Sequence, residues 1–196
     1  MSDNKIVFIR HGESMGNVWV DAYKNEAANF LTIRGVKQVE LAALDLIRLG
    51  IKFDHVVTSG LTRARQTATT LMQTMDDWQR HYVVEPRLNE WAKAGHIHDP
   101  GIEVVSRDEF RNRVVNAYRE TVLPLIDTGN VLVVSHFYVM EVLFDLIGFG
   151  DYGDEITNSL SDDWIPNAVP YIYQPGNAWR VDRLTMQHAY VPHAQS

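Results

Sequence analysis

The chain has 196 residues, no cysteine and a formal net charge of −7 at pH 7. The missing cysteine excludes disulfides, thiolate metal sites and a cysteine nucleophile, and an acidic balance without a basic stripe argues against a nucleic-acid-binding protein. Apolar runs such as residues 131–134 are too short to span a bilayer, and the N-terminal residues lack the pattern of a signal peptide. We therefore expect a cytoplasmic protein with neither nucleic acid nor a membrane among its partners.

Short apolar runs alternate with helical patterns along the chain, which is typical of βαβ units. Strands are predicted at residues 5–9, 54–58, 81–85, 131–135, 169–173 and 179–184. A helical pattern follows each of the first four strands. The fold class is therefore α/β: a three-layer sandwich with a mainly parallel central sheet flanked by helices. We expect a single domain over residues 1–196, because no linker or repeat interrupts the chain.

The third predicted helix has ends that can be read from the sequence. Ser106 and Glu109 form the Ser-x-x-Glu pattern of a capping box at its start. Pro124 sits late in the helical pattern, where a proline kinks or ends a helix. The predicted inner face carries Phe110, Val114, Ala117, Tyr118, Thr121 and Leu125.

Polar residues follow three of the predicted strands. Arg10, His11 and Gly12 come directly after the first strand, Arg63 lies in the first helical turn after the second, and His136 follows the strand at 131–135. The carboxyl ends of parallel strands meet at one edge of a sheet, and ligands bind there. We therefore expect two histidines and two arginines to converge at that edge.

Two guanidiniums and two imidazoles together suit a dianionic phosphoryl group. Arginine offers forked donors that match phosphate oxygens and keeps its charge at any working pH. Gly12 lets the backbone pass close to a ligand. A neutral imidazole can attack phosphorus in line, while the other cations stabilise charge on the equatorial oxygens. The neighbouring arginines favour the neutral form, whereas a bound dianion favours the charged form.

A zinc site is the rival use for paired histidines, and His96 and His98 alternate with Ile97 in a segment that ends at Asp99. Two histidines in an extended His-x-His segment point the same way. No third ligand is fixed by spacing, so we predict no metal there. A substrate-facing or merely exposed loop is the alternative interpretation.

Five motifs together resemble the histidine phosphatase superfamily, which includes the cofactor-dependent phosphoglycerate mutases. They occur in the family's order over residues 5–148. The motifs are Arg10-His11-Gly12-Glu13 followed by Asn17, Leu31-Thr32-x-x-Gly35-x-x-Gln38, the segment from Ser59 to Ala68, Leu88-Asn89-Glu90, and Val133-Val134-Ser135-His136. The resemblance implies a phosphoglycerate mutase-like fold. Asn167, just before a late strand, also resembles a common feature of the family.

The resemblance implies a role for each matching residue. His11 would form the phosphohistidine, and Arg10, Arg63 and His136 would hold the phosphoryl group. Asn17 and the Gly12 backbone would contact phosphate or substrate. Glu90 would protonate the leaving oxygen and then help to activate water; on residue type alone it would be an ordinary loop carboxylate. Neither a metal nor a cofactor is implied, and the expected substrate is a small phosphorylated molecule.

The chain departs from the family pattern at two places. Phe137 and Tyr138 follow the second histidine, where the family usually has glycine and another small residue. Their bulk narrows or reshapes the pocket, although the backbone N–H groups remain. Residues 91–96, after Glu90, match neither the phosphatase branch nor the mutase branch of the family. The physiological substrate therefore does not follow from the resemblance.

Phosphatase, mutase and binding module remain alternative functions. A mutase must shield its intermediate from water with a cap, and the family inserts most cap material between the Glu90-like and His136-like positions. Only a short cap loop near 92–105 remains here, which favours an open site and net hydrolysis. A phosphate-binding or regulatory module with little turnover is the alternative from another class. In the C-terminal extension near 150–196, the aromatic residues suit a homodimer interface, a sheet edge or the core; they are Trp164, Tyr171, Tyr173 and Trp179.

Overall fold

A computed structural model of the protein describes residues 3–19, 28–77, 81–91, 104–148, 165–174 and 181–183. Its strands are β1 (Ile6–Arg10), β2 (His55–Thr58), β3 (Val83–Val84), β4 (Val131–Ser135), β5 (Pro170–Tyr173) and β6 (Val181–Arg183). Its helices are α1 (Met15–Val18), α2 (Ile33–Arg48), α3 (Thr62–Thr74), α4 (Arg107–Ala117) and α5 (Phe137–Leu146). A short 3-10 turn, Pro86–Leu88, follows β3.

The strands form one sheet in the order β3-β2-β4-β1-β5-β6. The first four of these are mutually parallel, while β5 runs antiparallel to β1 and β6 antiparallel to β5. All residues of β1 and β4 are buried, as expected for central parallel strands with both faces covered. The predicted α/β class with a mainly parallel sheet is confirmed.

Helices cover both faces of the sheet. Successive side chains of a strand point to opposite faces, so each central strand contributes to two cores. Ile6 and Phe8 of β1 pack into a core with α4 and α5. Val7 and Ile9 pack on the opposite face into a second core with α2 and α3. The three predicted layers are therefore present, and the carboxyl ends of β1, β2 and β4 open at one edge between them.

The helix predicted to begin at Ser106, which is α4 in the structure, differs from its prediction in its second half. Ser106 and Glu109 form the predicted capping box, with Glu109 N donating to Ser106 Oγ at 3.2 Å. After Ala117 the helix continues as a π turn, Tyr118–Val122, and then as a 3-10 turn, Leu123–Asp127, which contains Pro124. Val122 and Ile126 are buried there, whereas the predicted Thr121 and Leu125 are only partly covered. The wide π turn holds every fourth residue inside, although a regular helix has about 3.6 residues per turn.

Several predicted features lie outside the described residues. They are His96 and His98, most of the cap loop near 92–105, and most of the C-terminal extension with Trp164 and Trp179. Of the other two aromatics, Tyr171 is buried against Phe144, with ring centroids 4.9 Å apart, so it completes the core. Within the described part of the chain, no helix combines the length and apolarity that crossing a membrane requires.

Candidate active site

Three strand ends meet around a cluster of histidines and arginines. The backbone continues the sheet past β1 and β2, because His11 N donates to Ser135 O at 2.9 Å and Ser59 N donates to Val134 O at 3.1 Å. β4 therefore places His136 between the segments that carry His11 and Arg63. The predicted convergence is present: Arg10, His11, Arg63 and His136 are all 5% exposed or less.

The hydrogen bonds of His11 fix its tautomer. Its Nδ1 lies 2.7 Å from Gly12 O, and because a carbonyl can only accept, Nδ1 carries the proton. Arg63 Nε donates to His11 Nε2 over 3.2 Å, so Nε2 holds the lone pair. Burial lowers the pKa of His11 well below its usual range, and the charges of Arg63 and Arg10 lower it further. His11 is thus a neutral imidazole with the lone pair of Nε2 beside a guanidinium.

His136 faces His11, with ring centroids 5.2 Å apart. Its Nε2 lies 2.6 Å from Ser59 Oγ, and Nδ1 is buried without a hydrogen-bond partner among the described residues. Burial lowers the pKa of His136 well below its usual value. The nearby charges lower it further; they are those of Arg63, His11, Arg10 and Arg113. The sequence did not single out Ser59 as a partner, although its place directly after β2 was a usable signal.

The two arginines reach the cluster from different elements. Arg63 lies in the first turn of α3 and is 1% exposed. Arg10 ends β1, donates through Nη1 to Ile165 O at 2.9 Å and lies over the Phe137 ring at 5.3 Å. Two buried guanidiniums at one place form a strongly positive site, and a dianion would offset the desolvation cost of these charges.

Gly12 is required by the packing of its own loop. A Cβ there would lie 2.6 Å from Gly35 O and 2.9 Å from Val39 Cγ2, so only glycine lets α2 approach the loop that follows β1. Gly12 N donates to Thr67 Oγ1 at 3.0 Å, a bond that the sequence did not indicate. On the opposite side, Asn167 Nδ2 donates to His11 O at 2.7 Å.

Glu90 lies beside the cluster although it belongs to no strand or helix. Its carboxylate accepts from Trp91 N at 2.9 Å and from the backbone N–H of Tyr138 in the first turn of α5. Burial raises the pKa of Glu90, while those two N–H groups and the charges of Arg63 and Arg10 oppose the shift. A half-buried carboxyl with a raised pKa can donate a proton near neutral pH.

Asn17 is placed differently from the other predicted residues. It is exposed at the short helix α1, and its Oδ1 accepts from Ser14 N at 2.9 Å and from Ser14 Oγ at 3.1 Å. The bond from Ser14 N is one of the two bonds of the capping box of α1. The described contacts of Asn17 are therefore local, and none of them joins it to the histidine cluster.

The bulky residues after His136 line the Glu90 side of the site. Phe137 packs edge-on against Tyr138, and Tyr138 packs edge-on against Trp91, with centroid distances of 5.2 and 5.5 Å. Trp91 in turn stacks on the buried Phe110 at 5.6 Å. At the positions where the family that the motifs resemble usually has small residues, this chain therefore has a row of aromatic side chains in mutual contact.

Metal-ligating side chains do not gather in the part of the chain that the structure describes: no three His, Cys, Asp or Glu residues are grouped there. The histidine cluster instead combines two neutral imidazoles with two guanidiniums. Guanidiniums cannot ligate a cation and repel it electrostatically, whereas they suit phosphate oxygens.

Comparison with known proteins agrees with this chemistry. Residues 6–95 match the family model of the histidine phosphatase superfamily (branch 1). Over 143 residues the chain is 28% identical to the serine/threonine-protein phosphatase Pgam5, mitochondrial, of Drosophila melanogaster. The match covers 65% of this chain and 47% of that protein, so the chain spans about half the length of the curated relatives it matches.

Solved structures show the same fold. Phosphoglycerate mutase from Bacillus anthracis superposes with a TM-score of 0.66 at 18% identity, covering 93% of this chain and 94% of that one. Bacillus stearothermophilus YhfR superposes with a TM-score of 0.69 at 16% identity, covering 97% and 98%. The resemblance inferred from the motifs is thus confirmed: residues 6–95 match the histidine phosphatase superfamily, and the chain has the fold of the phosphoglycerate mutase-like histidine phosphatases.

Proposed function

We propose that the protein hydrolyses a phosphomonoester through a phosphohistidine on His11, with Glu90 as the proton donor. The observation that carries the proposal is the lone pair on His11 Nε2, which lies 3.2 Å from the donating Arg63 Nε. A phosphoryl oxygen drawn to that guanidinium brings phosphorus next to Nε2. Phosphate-monoester chemistry needs this combination of positioning and charge stabilisation more than any other assistance.

The reaction has two balanced steps. In the first, His11 Nε2 forms a bond to phosphorus while the bond from phosphorus to the leaving oxygen breaks, and Glu90 gives its proton to that oxygen. In the second, water attacks phosphorus, Glu90 takes a proton from the water, and the bond to Nε2 breaks. Inorganic phosphate is released, and His11 and Glu90 return to their starting states.

The remaining residues of the cluster would stabilise charge on the transferring group. Arg10 and Arg63 would donate to its equatorial oxygens, and His136 would donate a further hydrogen bond. Their burial makes each interaction stronger than it would be in water. Because Asn167 and Ser135 hold the backbone of His11 on both sides, the nucleophile is positioned before substrate arrives.

The two pKa shifts predict how activity depends on pH. His11 is neutral across the working range, because its pKa is lowered well below the usual value. Glu90 must be protonated to act as a donor, and its pKa is raised. The rate of the first step therefore falls as pH rises through the raised pKa of Glu90, and this sets the alkaline limb of the profile.

Net hydrolysis is favoured over mutase chemistry by the length of one connection. Only residues 92–106 separate Trp91 from α4, and a mutase needs a cap that keeps water from its intermediate. The curated relative is named a phosphatase, although fold similarity extends to a mutase and does not decide between them. The proposed substrates are small phosphorylated molecules, as the resemblance to the histidine phosphatase superfamily implies.

The test uses an aryl phosphate with a metal chelator present, across about pH 5 to 8, and compares wild type with His11→Ala. Exposed His81→Ala is the matched control. We expect His11→Ala to lower turnover by at least about 10⁴-fold, and acid-labile phosphate to appear on wild-type protein after quenching in alkali. Turnover that survives in His11→Ala, or a folded wild type with neither turnover nor phosphoprotein, would contradict the proposal.

A further inference from the structure

Arg113 of α4 reaches across to the segment that carries Glu90. Its Nη2 donates to Asn89 O at 2.9 Å, and its Nη1 lies 3.4 Å from Pro86 O. The guanidinium also lies over the Phe110 ring at 5.0 Å. None of the sequence motifs includes this residue, and its helix lies in the chain between the Leu88-Asn89-Glu90 motif and the motif that ends at His136.

The two carbonyls held by Arg113 flank the turn that leads into Glu90. Asn89 O belongs to the peptide group that ends at the Glu90 Cα, so its orientation sets the direction in which the Glu90 side chain leaves the backbone. On the other side of Glu90, Trp91 stacks on Phe110, the ring that lies under Arg113. The two neighbours of Glu90 therefore contact one arginine–phenylalanine pair: Asn89 is bonded to Arg113, and Trp91 stacks on Phe110.

Arg113 also acts on the site through its charge. Burial lowers the pKa of Arg113, and the Glu90 carboxylate opposes that shift. The Arg113 charge in turn helps to lower the pKa of His136. The guanidinium is thus close enough to favour the ionised form of Glu90 and the neutral form of His136. The charge of Arg113 therefore acts on both Glu90, the proposed proton donor, and His136.

Other arginines of α4 do not share this arrangement. Arg111, two residues earlier, is exposed and pairs with Asp145 of α5 through Nη1 at 2.5 Å. That ion pair lies on the surface and has no contact with residues 86–91 among the described interactions. Arg111 is therefore a matched control for charge and helix position.

We propose that Arg113 is a positioning residue, which holds the Asn89–Glu90 peptide so that the Glu90 carboxyl meets the leaving oxygen. This inference rests on the proposed phosphatase function. Lysine at this position would keep the charge but lose the planar fork that spans two carbonyls and stacks on Phe110. The proposal therefore predicts different consequences for Arg113→Lys and Arg113→Met.

The first test measures kcat and KM for a series of aryl phosphates whose leaving phenols have increasing pKa values. A proton donor matters least for the most acidic phenol and most for the least acidic one. For Arg113→Lys we expect kcat to fall about twofold at the acidic end and about 10- to 100-fold at the other, with KM nearly unchanged. Arg111→Lys should match wild type throughout.

The second test uses the pH profile and a double variant. Arg113→Met removes a positive charge near Glu90, so the pKa of Glu90 rises and the alkaline limb moves to higher pH. Arg113→Lys should leave that limb in place. Combined with Glu90→Gln, neither change should cost further rate, because the group that Arg113 positions is already absent.

Three results would overturn the inference. One is a loss in Arg113→Lys that is the same for every leaving group, and another is an Arg113→Lys variant indistinguishable from Arg111→Lys. The third is an additive loss in the double variant. Failure of the proposed function looks different, because wild type itself would then show no turnover and no phosphohistidine. Thermal unfolding of each variant verifies that the fold is retained.

Discussion

The two halves of the site are built by different means. The proposed phosphoryl pocket lies at the ends of strands whose backbones are hydrogen-bonded to one another, and it consists of Arg10, His11, Arg63 and His136. Residues 85–91, the donor segment, contain only a 3-10 turn. Apart from the backbone bond from Glu85 N to Thr58 O, the described hydrogen bonds that join this segment to other elements involve at least one side chain. Gly60 N donates to Asn89 Oδ1 at 2.7 Å, and Ser135 Oγ donates to Leu88 O at 2.7 Å.

This difference determines which half of the site a single substitution can displace. A sheet fixes the phosphoryl pocket through many shared backbone bonds, so no single substitution away from the pocket should displace it. The donor segment depends on individual contacts made by the side chains of Asn89, Ser135 and Arg113, each of which one mutation can remove. Changes in substrate handling should therefore arise more easily in the donor segment.

The largest effect is expected from the phosphoryl pocket. Arg63→Met removes the guanidinium that donates to His11 Nε2, and we expect kcat/KM to fall about 10²- to 10³-fold, as for loss of one donor to a developing oxyanion. Arg65→Met, exposed on the same helix, is the control. Steady-state kinetics with thermal unfolding distinguishes lost chemistry from lost structure. An Arg63→Met enzyme within tenfold of wild type would show that the pocket does not act as one charged unit.

An intermediate effect is expected at the start of the donor segment. Buried Glu85 accepts from Arg87 Nη2 at 2.8 Å and from Thr121 Oγ1 at 2.6 Å. Bonding to Arg87, and then to Thr121, lowers the pKa of Glu85 from 4.5 to about 2, against the effect of burial. Since the folded pKa is depressed, the ionised carboxylate stabilises the fold above the unfolded pKa, and this stability is lost as pH falls towards about 2.

Glu85→Gln should therefore lower the free energy of unfolding by about 1–2 kcal/mol at pH 7. The difference from wild type should shrink as pH falls from about 5 towards 2, which denaturant unfolding at several pH values measures. Glu109→Gln, at the exposed capping box of α4, is the control and should show a smaller change. A Glu85→Gln difference independent of pH would contradict the assignment.

The smallest effect is expected at Asn17, where two roles can be separated. Aspartate keeps an oxygen that accepts from Ser14 but adds a negative charge, whereas alanine removes the cap without adding charge. If Asn17 meets the substrate phosphate, Asn17→Asp should raise KM about tenfold and Asn17→Ala about threefold. An Asn17→Asp enzyme with the KM of wild type would leave capping of α1 as the function of this residue.

The phosphoryl pocket could be predicted from the sequence because strand periodicity and strand order determine it. Once residues 5–9, 54–58 and 131–135 are assigned as parallel strands, the positions of Arg10, His11, Arg63 and His136 follow. The tautomer of His11 could not be predicted, because it depends on the distance from Nδ1 to Gly12 O. The cap formed by Asn17 depends on a short helix, α1, that carries no hydrophobic period.

Arg113 was beyond prediction for a different reason. Its contacts depend on how α4 is rotated against the donor segment, and helical period alone does not fix that rotation. The π turn at Tyr118–Val122 shows the same limit, since it moves the buried positions to Val122 and Ile126. Pro124 marked the region as irregular but could not specify which irregularity occurs.

The strand order has a consequence for how the protein is made. β1 pairs with β4, Arg10 lying opposite Ser135, and with β5, but not with β2 or β3. During synthesis β1 therefore emerges long before either of its neighbours, and more than a hundred residues must be looped out before it can be paired. Contacts so distant in sequence slow folding. His11 directly follows β1, so it is translated well before Ser135 and Asn167, and it acquires its full environment only when β4 and β5 have been added to the sheet.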